Sequence, residues 1–419
     1  MSAYTMNYKK TLQTNIPSKK IEYKSIVFLI YTFFVLVIYI MPYFKFKVPY
    51  KAAAFAMLLS LPILAFYDDK AFKFSVALVV ISLLMIVQNI IVGMDSVDAI
   101  NECIRNIRFF LPALWGYFFL RECNNKKGNI VFFAAFLIII GFILFKTLSA
   151  LSQDPMIARI LAQDKSTSPA SINAYRLANV GGFEFSYMMG VLSLGFLYLF
   201  MVLKNLVAKT MNIALYILSF YYILQSQYMT LLLLTFAGSI LLLFLCKKNI
   251  FFRITIIIIG LFVVFNIVNI LGSLNTLFKG TVLGIKFDQI ARSLETSNSK
   301  ELGSRPTLLM EGIHAWIDSP IWGKFDSTLN AHSLFVSTLA RNGVIGIISI
   351  GYLFVSAIKL IASQIYQYGN GKSLFFCAVL FLLMLSVLNP IGYVFEVVIV
   401  VYFITPFIIK MFSIKHDEY

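Results

Sequence analysis

The sequence predicts an all-α, polytopic membrane protein with about twelve transmembrane helices. Of its 419 residues, 60% are hydrophobic and only 13% are charged, whereas soluble domains average about 45–50% apolar and about 25% charged residues. The apolar residues form runs long enough for helices to cross a bilayer, which takes about 20 residues. These runs differ from the short alternating strands of an outer-membrane barrel. The composition therefore excludes a cytosolic enzyme, a secreted disulfide scaffold, a DNA-binding domain and a coiled coil.

Twelve apolar runs are separated by charged or turn-forming residues. They occupy residues 26–43, 52–67, 74–93, 107–120, 129–149, 183–203, 210–226, 228–246, 251–271, 340–358, 373–389 and 391–409. The run at 107–120 is the weakest, because it is short, has Arg108 at its edge and contains Pro112. If this run did not cross the membrane, the orientation of every later segment would be reversed.

The distribution of Lys and Arg predicts that both termini are cytoplasmic. The formal net charge is +16, and membrane proteins keep basic residues in cytoplasmic loops. With twelve spans, residues 1–25 and 410–419 form cytoplasmic tails, and the predicted cytoplasmic segments hold more Lys and Arg than the short segments opposite. The excess of Lys and Arg over Asp and Glu is therefore explained without a nucleic acid partner. The four cysteines show no paired spacing, and we predict no disulfide, metal site or cofactor.

Two long connections are predicted on the extracytoplasmic side, at 150–182 and 272–339. The first separates spans within the region 26–271, and the second precedes the spans at 340–409. Long loops in compact proteins are usually functional. We expect two short helices in the second loop. One begins near Ser304 and Pro306 and stops at Pro320, and the other runs from His332 to Ala340 and ends at Asn342-Gly343.

The second loop contains the two main candidates for chemistry. His332 opens a helix directly before a span, and an imidazole with a pKa of about 6.5 accepts a proton near neutral pH. The alternative is a hydrogen-bonded packing residue. Arg305 begins the first loop helix, where a guanidinium and free backbone N–H groups suit a phosphate. The alternative for Arg305 is contact with lipid headgroups.

A carboxylate within the last predicted span is a third candidate. Glu396 lies about five residues from the external end of that span, and hence about 7 Å deep. Intramembrane carboxylates are functional hypotheses by default, and we take Glu396 as a substrate-binding candidate. The structural alternative is an ion pair with Arg305 or another loop arginine. Asp326 and Glu184 are further acidic candidates, although loop acids near a membrane surface are ordinary.

The loop residues resemble a known family. The run from Arg305 to Pro320-Ile-Trp-Gly323, followed by His332-Ser333 and Gly343-Val-Ile-Gly346, is similar to the O-antigen polymerase and O-antigen ligase family. The family pattern is an Arg, then Pro-x-x-Gly, a His and Gly-x-x-Gly at the start of the next span. The matching block covers about 45 residues, and the twelve spans with two large external loops are similar as well.

The resemblance implies a GT-C-like fold and a metal-independent glycosyltransferase of the bacterial inner membrane. His332 would be the catalytic base or would orient the acceptor, and Arg305 would bind pyrophosphate. The implied partners are an undecaprenyl-pyrophosphate-linked oligosaccharide, membrane lipids, a chain-length regulator and a flippase.

Three positions depart from the family pattern. Phe325 replaces a second Gly, Ser333 replaces an Asn, and the mid-chain junction Ser226-Gln-Tyr-Met-Thr230 lacks the arginine of the family's Ser-Arg motif. A second cation must then come from elsewhere, and Arg176 and Arg292 are the candidates, although both are also explained as plain loop charges. Tyr228, at the altered junction, is a candidate for substrate binding.

The function predicted from these features is polymerisation of polysaccharide repeat units. The altered junction and the loose loop motif favour a polymerase over a ligase, which would transfer the finished glycan to lipid A-core. A flippase for lipid-linked oligosaccharide is the alternative from another class. Such transporters usually contain internal repeats and charged residues at the membrane midplane, and the sequence shows neither clearly.

Overall fold

The computed structural model describes residues 18–45, 47–161, 169–247, 249–296, 305–324, 333–369, 371–389 and 394–413. Within these ranges the chain is helical and contains no strand. The helices are α1 Ser18–Ile40, α2 Pro42–Lys45, α3 Val48–Leu59, α4 Leu61–Ala65, α5 Asp69–Ile91, α6 Ser96–Glu122, α7 Lys126–Gln153, α8 Ile157–Ile160, α9 Pro169–Leu177, α10 Phe183–Val202, α11 Leu206–Ser226, α12 Met229–Cys246, α13 Ile250–Phe265, α14 Ile267–Leu277, α15 Val282–Thr296, α16 Arg305–Asp318, α17 Leu334–Ile365, α18 Gly371–Leu388 and α19 Phe395–Phe412.

Eight of the described helices are long and apolar enough to cross a membrane. These are α5, α7, α10, α11, α12, α17, α18 and α19. Helices α13 and α14 together form a ninth, broken candidate, because they are bent by 79° relative to each other. Helix α1, the pair α3–α4 and helix α6, which cover the first, second and fourth predicted spans, do not meet the same criteria. The prediction of a polytopic helical membrane protein is therefore confirmed, and the number twelve stays a prediction.

The ninth predicted span, 251–271, is interrupted at Asn266. Helix α13 ends at Phe265, and the Asn266 side chain donates to the carbonyl of Phe262 at 2.9 Å. Asparagine competes in this way with the backbone hydrogen bonds of a helix. The apolar run predicts one span here, and the structure divides this run into two helices that are bent relative to each other by 79°.

Helix α6 is longer than the predicted run at 107–120. It starts after Asp95, whose carboxylate caps it by accepting from the Val97 N–H at 2.9 Å. At its other end, Arg121 forms an ion pair with Asp68, the residue that caps α5. A short connection joins α5 to α6, so the two helices run antiparallel along their whole length. This arrangement supports the fourth predicted crossing.

The Asp68 carboxylate accepts several hydrogen bonds at the predicted cytoplasmic end of the bundle. Partial burial acts to raise the pKa of its carboxyl, but hydrogen bonds from the Ala71 N–H and the Tyr117 hydroxyl and the charge of Arg121 bring that pKa below its ordinary value. The Tyr117 hydroxyl donates at 3.0 Å. The ionised carboxylate thus fixes the start of α5 to the end of α6.

Several polar contacts between distant segments lie near the ends of the helices, at the ends that the predicted alternation of the spans assigns to each side. At the predicted inner end, the Lys410 ammonium donates to the Asn124 side chain at 2.9 Å. At the predicted outer end, three contacts join segments far apart in sequence. These are Tyr43 N to Asn179 Oδ1 at 3.0 Å, Asn389 Nδ2 to the Tyr187 hydroxyl at 3.4 Å, and Val282 N to Gln227 Oε1 at 3.1 Å.

The core lies around α10 and α19, whose side chains are mostly enclosed by other helices. Trp115 of α6 is fully buried, stacks on Phe403 with ring centroids 4.6 Å apart, and donates to the Thr32 hydroxyl at 3.1 Å. By contrast, α13 has no buried residue. An apolar helix without protein contacts on most of its surface is suited to face lipid.

Candidate active site

A turn at residues 319–324 fits into a break in α17. Gly343 has φ 59° and ψ −159°, which interrupts the helix where the sequence predicts that the short loop helix ends. The groups freed by this break bind the turn. Val344 N donates to Pro320 O at 2.9 Å, Ile345 N to Ile321 O at 3.5 Å, and Lys324 N to Ala340 O at 2.8 Å. We call residues 319–324 and 340–345 the interlock.

Two positions in the interlock require glycine. A Cβ at Gly323 would lie 2.3 Å from the carbonyl carbon and oxygen of Arg341, and a Cβ at Gly343 would lie 2.2 Å from the Ile321 carbonyl oxygen. Both residues also have positive φ, 78° and 59°, which other residues rarely adopt. The Pro-x-x-Gly and Gly-x-x-Gly segments singled out in the sequence are therefore two halves of one structural unit.

Amides from α5 fasten the interlock to the bundle. The Gln88 side chain donates to the carbonyl of Trp322 at 2.9 Å and to that of Asn342 at 2.6 Å. The Asn342 side chain in turn donates to Asn89. Gln88, Asn89 and Asn342 are buried, where unmade hydrogen bonds are costly. Sequence reasoning missed Gln88 and Asn89, although two adjacent amides in an apolar run were a usable signal.

The first part of α17, Leu334–Asn342, lies across the predicted outer end of the bundle. The Ser333 hydroxyl caps this helix by accepting from Val336 N at 3.3 Å, and it donates to the carbonyl of Ser386 near the end of α18 at 3.5 Å. The other end of the segment is held by Gln88 near the end of α5. A straight helix of 32 residues would be about 48 Å long, so the break lets only its second part cross the bilayer.

A buried charged cluster joins α2, α10 and α19 at the same end. Lys45 forms ion pairs with both Glu184 and Glu396. The side chains of Lys45 and Glu396 are 8% and 4% exposed, whereas that of Glu184 is 29% exposed. The sequence offers an ion pair with a loop arginine as the structural alternative for Glu396; among the described side chains its ion-pair partner is instead Lys45, 351 positions away in sequence.

Arg108 completes this cluster from α6. Its guanidinium carbon lies 5.0 Å from the ring centroid of Phe395 and 5.4 Å from that of Tyr39, within the range of cation–π attraction. The cluster thus contains two basic residues, Lys45 and Arg108, and two acidic residues, Glu184 and Glu396. The Tyr39 hydroxyl, Arg108 Nε and Glu396 Oε2 are buried and have no hydrogen-bond partner in the described part of the chain. Such orphaned atoms are rare in folded proteins.

The two main sequence candidates belong to segments that meet at the interlock. Arg305 is the first residue of α16, and His332, like Asp326, lies outside the described residues, with His332 immediately before Ser333. Helix α16 packs against α17, and both α16 and the first part of α17 run toward the interlock. Arg305 and Ser333 therefore lie at the ends of these two segments away from the interlock.

Arg176 and Tyr228 are brought to the neighbourhood of the charged cluster. Arg176 is half-buried in the last turn of α9, which packs against α2. The ring of Tyr228 lies 5.4 Å from that of Phe183, the residue before Glu184. Both residues belong to segments next to the cluster, and a role for either in substrate binding stays a prediction.

Arg292 lies elsewhere, on α15 above the turn between α11 and α12. Its side chain is 62% exposed, and Nε is 2.9 Å from a carboxylate oxygen of Asp288. An exposed ion pair of this kind contributes about 0–1 kcal/mol to stability. Helix α15, which carries Arg292, is attached to the altered junction at 226–230, because the Gln227 side chain accepts from Val282 N. Arg292 is therefore associated with that junction and not with the charged cluster.

Arg108 and Arg105 are the cations that sequence reasoning left out. Arg105 forms an ion pair with Glu102 on the same helix, and the electrostatic influence of Arg341 reaches both of these residues. Their position in the sequence could have identified them, because Lys and Arg are disfavoured on the extracytoplasmic side, where both are predicted to lie.

The fold and these clusters define a polytopic helical membrane protein with a buried charged site at one end of its bundle. Among the residues that the structure describes, no three His, Cys, Asp or Glu side chains come together as a metal site. The chain matches no protein-family model, and a search of the curated proteins also gives no match.

Proposed function

We propose that the protein is a polysaccharide repeat-unit polymerase of the bacterial inner membrane. It transfers a growing glycan from a polyprenyl pyrophosphate to a sugar hydroxyl of another lipid-linked repeat unit. The observation that carries the proposal is the grouping of Lys45, Arg108, Glu184 and Glu396 at the predicted outer end, where Ser333, the neighbour of His332, is anchored to α18. Ionisable groups inside a membrane protein are costly and usually functional.

The proposed reaction forms one glycosidic bond and breaks one bond between the anomeric carbon and a phosphate oxygen. His332 accepts the proton of the attacking hydroxyl, whose own pKa is too high for ionisation. The diphosphate leaves with the polyprenyl chain, and Arg305 stabilises its charge. Attack opposite the leaving group inverts the anomeric carbon. Preorganised guanidinium groups supply the charge stabilisation in this proposal, which makes the reaction metal-independent.

The second cation of the proposed site is Arg176 rather than Arg292. Arg176 is half-buried next to α2, whereas Arg292 is exposed and paired with Asp288. Glu396 and Tyr228 complete the proposed substrate contacts, since a carboxylate and a phenol both hydrogen-bond sugar hydroxyls. The largely buried cluster also excludes water from one side of the proposed site, which strengthens electrostatic interactions with the diphosphate.

We expect His332→Ala and Arg305→Ala variants to lose the ladder of long surface polysaccharide in cells. Removal of a general base or of a charge-stabilising group typically lowers a rate by about 10²–10³-fold. His314→Ala is the matched control, because His314 lies exposed on α16 of the same loop and has no role in the proposed reaction. The size distribution of the polysaccharide, with membrane insertion checked by protein level, provides the readout.

The same experiment separates the competing functions. If either variant builds full-length polysaccharide at the normal rate, its role is refuted. Cells lacking the whole protein should carry single repeat units on the surface lipid. Surface lipid with no repeat units would instead indicate a ligase, and accumulation of lipid-linked units on the cytoplasmic side would indicate a flippase.

A further inference from the structure

We infer that α16 lies along the membrane surface and contacts bilayer lipid through Met310, Ile317, Ile321 and Trp322. The inference concerns the described residues of the loop and holds whether or not the protein is a glycosyltransferase. It is drawn from the three faces of α16, from the continuity of its apolar face with two candidate spans, and from the depth of the interlock.

Helix α16 presents a different kind of surface on each of three faces. Helix α16 packs against α17, and Gly312 is buried on one of its faces. The second face is apolar and exposed, with Met310 at 50% and Ile317 at 59% exposure, seven residues or about two turns apart. The third face carries Glu311, His314 and Asp318, which are also exposed. A helix that lies in a membrane interface contacts protein with one face, lipid with its apolar face and water with its polar face, which accounts for the three faces of α16.

The exposed apolar face continues onto helices that are candidate membrane spans. Ile321 and Trp322 extend it beyond the end of α16, and the carbonyl of Ile321 binds Ile345 N of α17. Nearby, Val344 and Ile348 of α17 are exposed apolar residues. On the other side, Trp322 is bonded through its carbonyl to Gln88 of α5. The exposed neighbours there are Val87 and Ile91 of α5. One apolar band therefore runs from the two spans onto α16.

The interlock places this band at the depth of the lipid interface. Gln88 lies three residues before Ile91, the end of α5, and hence about 5 Å below the end of that helix. Tryptophan is enriched at this level of a bilayer, because its ring is apolar and its N–H polar. Trp322 is 49% exposed and lies at this level. Bilayer lipid, rather than a protein partner, is the occupant that also covers the neighbouring faces of α5 and α17.

This placement has a consequence that rests on the proposed function. Arg305 starts the helix, so a surface-lying α16 holds that residue at headgroup level. The diphosphate of a lipid-linked glycan lies at the same level, since its polyprenyl chain is in the bilayer.

Fluorescence quenching on the full-length protein in phosphatidylcholine vesicles tests the lipid contact. The difference between the wild type and Trp322→Phe reports on Trp322, because Trp115 and Trp316 are present in both. In the Trp322→Phe parent, Ile317→Trp and Glu311→Trp place matched probes on the apolar and polar faces of one helix, about 120° apart. The quenchers are lipid brominated near the glycerol end of its acyl chains and aqueous iodide.

We expect the brominated lipid to quench the probes at 322 and 317 more strongly than iodide does, and iodide to quench the probe at 311 more strongly than the brominated lipid does. If iodide quenches all three and brominated lipid none, α16 stands in water and the inference is overturned. If neither quencher reaches positions 317 and 322, protein covers this face, and the inference is overturned as well. Neither result would bear on His332→Ala, so failure here is distinguishable from failure of the proposed function.

Discussion

Gly343→Ala is expected to destabilise the protein by at least about 3 kcal/mol and to abolish the polysaccharide polymerisation that we propose for it. The new Cβ would lie 2.2 Å from the Ile321 carbonyl oxygen and 2.8 Å from Gly323 N. The Gly343 backbone, at φ 59° and ψ −159°, lies in a region essentially restricted to glycine, which adds about 1–3 kcal/mol of strain for another residue. Relief of the clash requires the turn at 319–324 to leave the break, and its hydrogen bonds to α17 would then be lost. The free energy of unfolding in mixed micelles measures the effect.

Substitutions at two other glycines distinguish steric clash from backbone strain as the cause of the lost stability. Gly280 also has a positive φ, 81°, but nothing lies within 4 Å of the position of its Cβ. Gly280→Ala should therefore cost only the backbone strain, about 1–2 kcal/mol. Gly351 lies inside α17 with open space around it, and Gly351→Ala should be neutral or stabilising by up to about 1 kcal/mol. Equal losses for Gly343→Ala and Gly280→Ala would contradict a tightly fitted interlock.

Lys45→Met should be the second strongly destabilising change, with a cost of about 3–5 kcal/mol. The substitution keeps an unbranched side chain but removes the charge that faces Glu184 and Glu396. Glu184 is partly exposed and can be solvated, whereas Glu396 is buried and would lose its ion-pair partner. The cost therefore arises mainly from the stranded Glu396 carboxylate. Thermal unfolding in detergent, followed by helical signal, gives the comparison.

Removal of the stranded charge should restore most of the stability. In the double variant Lys45→Met Glu396→Gln no uncompensated carboxylate remains at position 396, and we expect at least half of the loss to be recovered. Lys47→Met is the control, since the half-buried Lys47 only donates to the Tyr43 hydroxyl at 2.8 Å. An unaltered midpoint for Lys45→Met, or a double variant no better than the single one, would show that the cluster does not stabilise the fold.

The features that the sequence predicts correctly are local ones. Apolar runs mark the candidate spans, and Asn342-Gly343 marks the end of a helix, because each depends on neighbouring residues alone. The same reasoning did not predict the bend of 79° at Asn266, because the apolar run continues through it. Here one side chain that bonds a nearby carbonyl outweighs the hydrophobic pattern.

The partners within the site depend on contacts across the chain and were beyond reach of the sequence. No local pattern indicates that Lys45 rather than a loop arginine meets Glu396. The two glycine motifs were both visible at 320–323 and 343–346, but their direct contact follows only from the fold. The hydrogen bond from Gln88 to Asn342 also follows only from the fold, since 254 positions separate the two residues. The placement of Arg305 and His332 near one another stays a prediction.

The central claim is glycosyl transfer between lipid-linked repeat units, and purified full-length protein tests it most directly. The substrate is the lipid-linked repeat unit extracted from cells that lack the protein, reconstituted with it in vesicles. We expect a ladder of longer lipid-linked glycans, with one polyprenyl diphosphate released for each new bond, and no ladder with His332→Ala. Repeat units that remain single with the wild-type protein, while His314→Ala and the wild type both stay folded, would contradict the account.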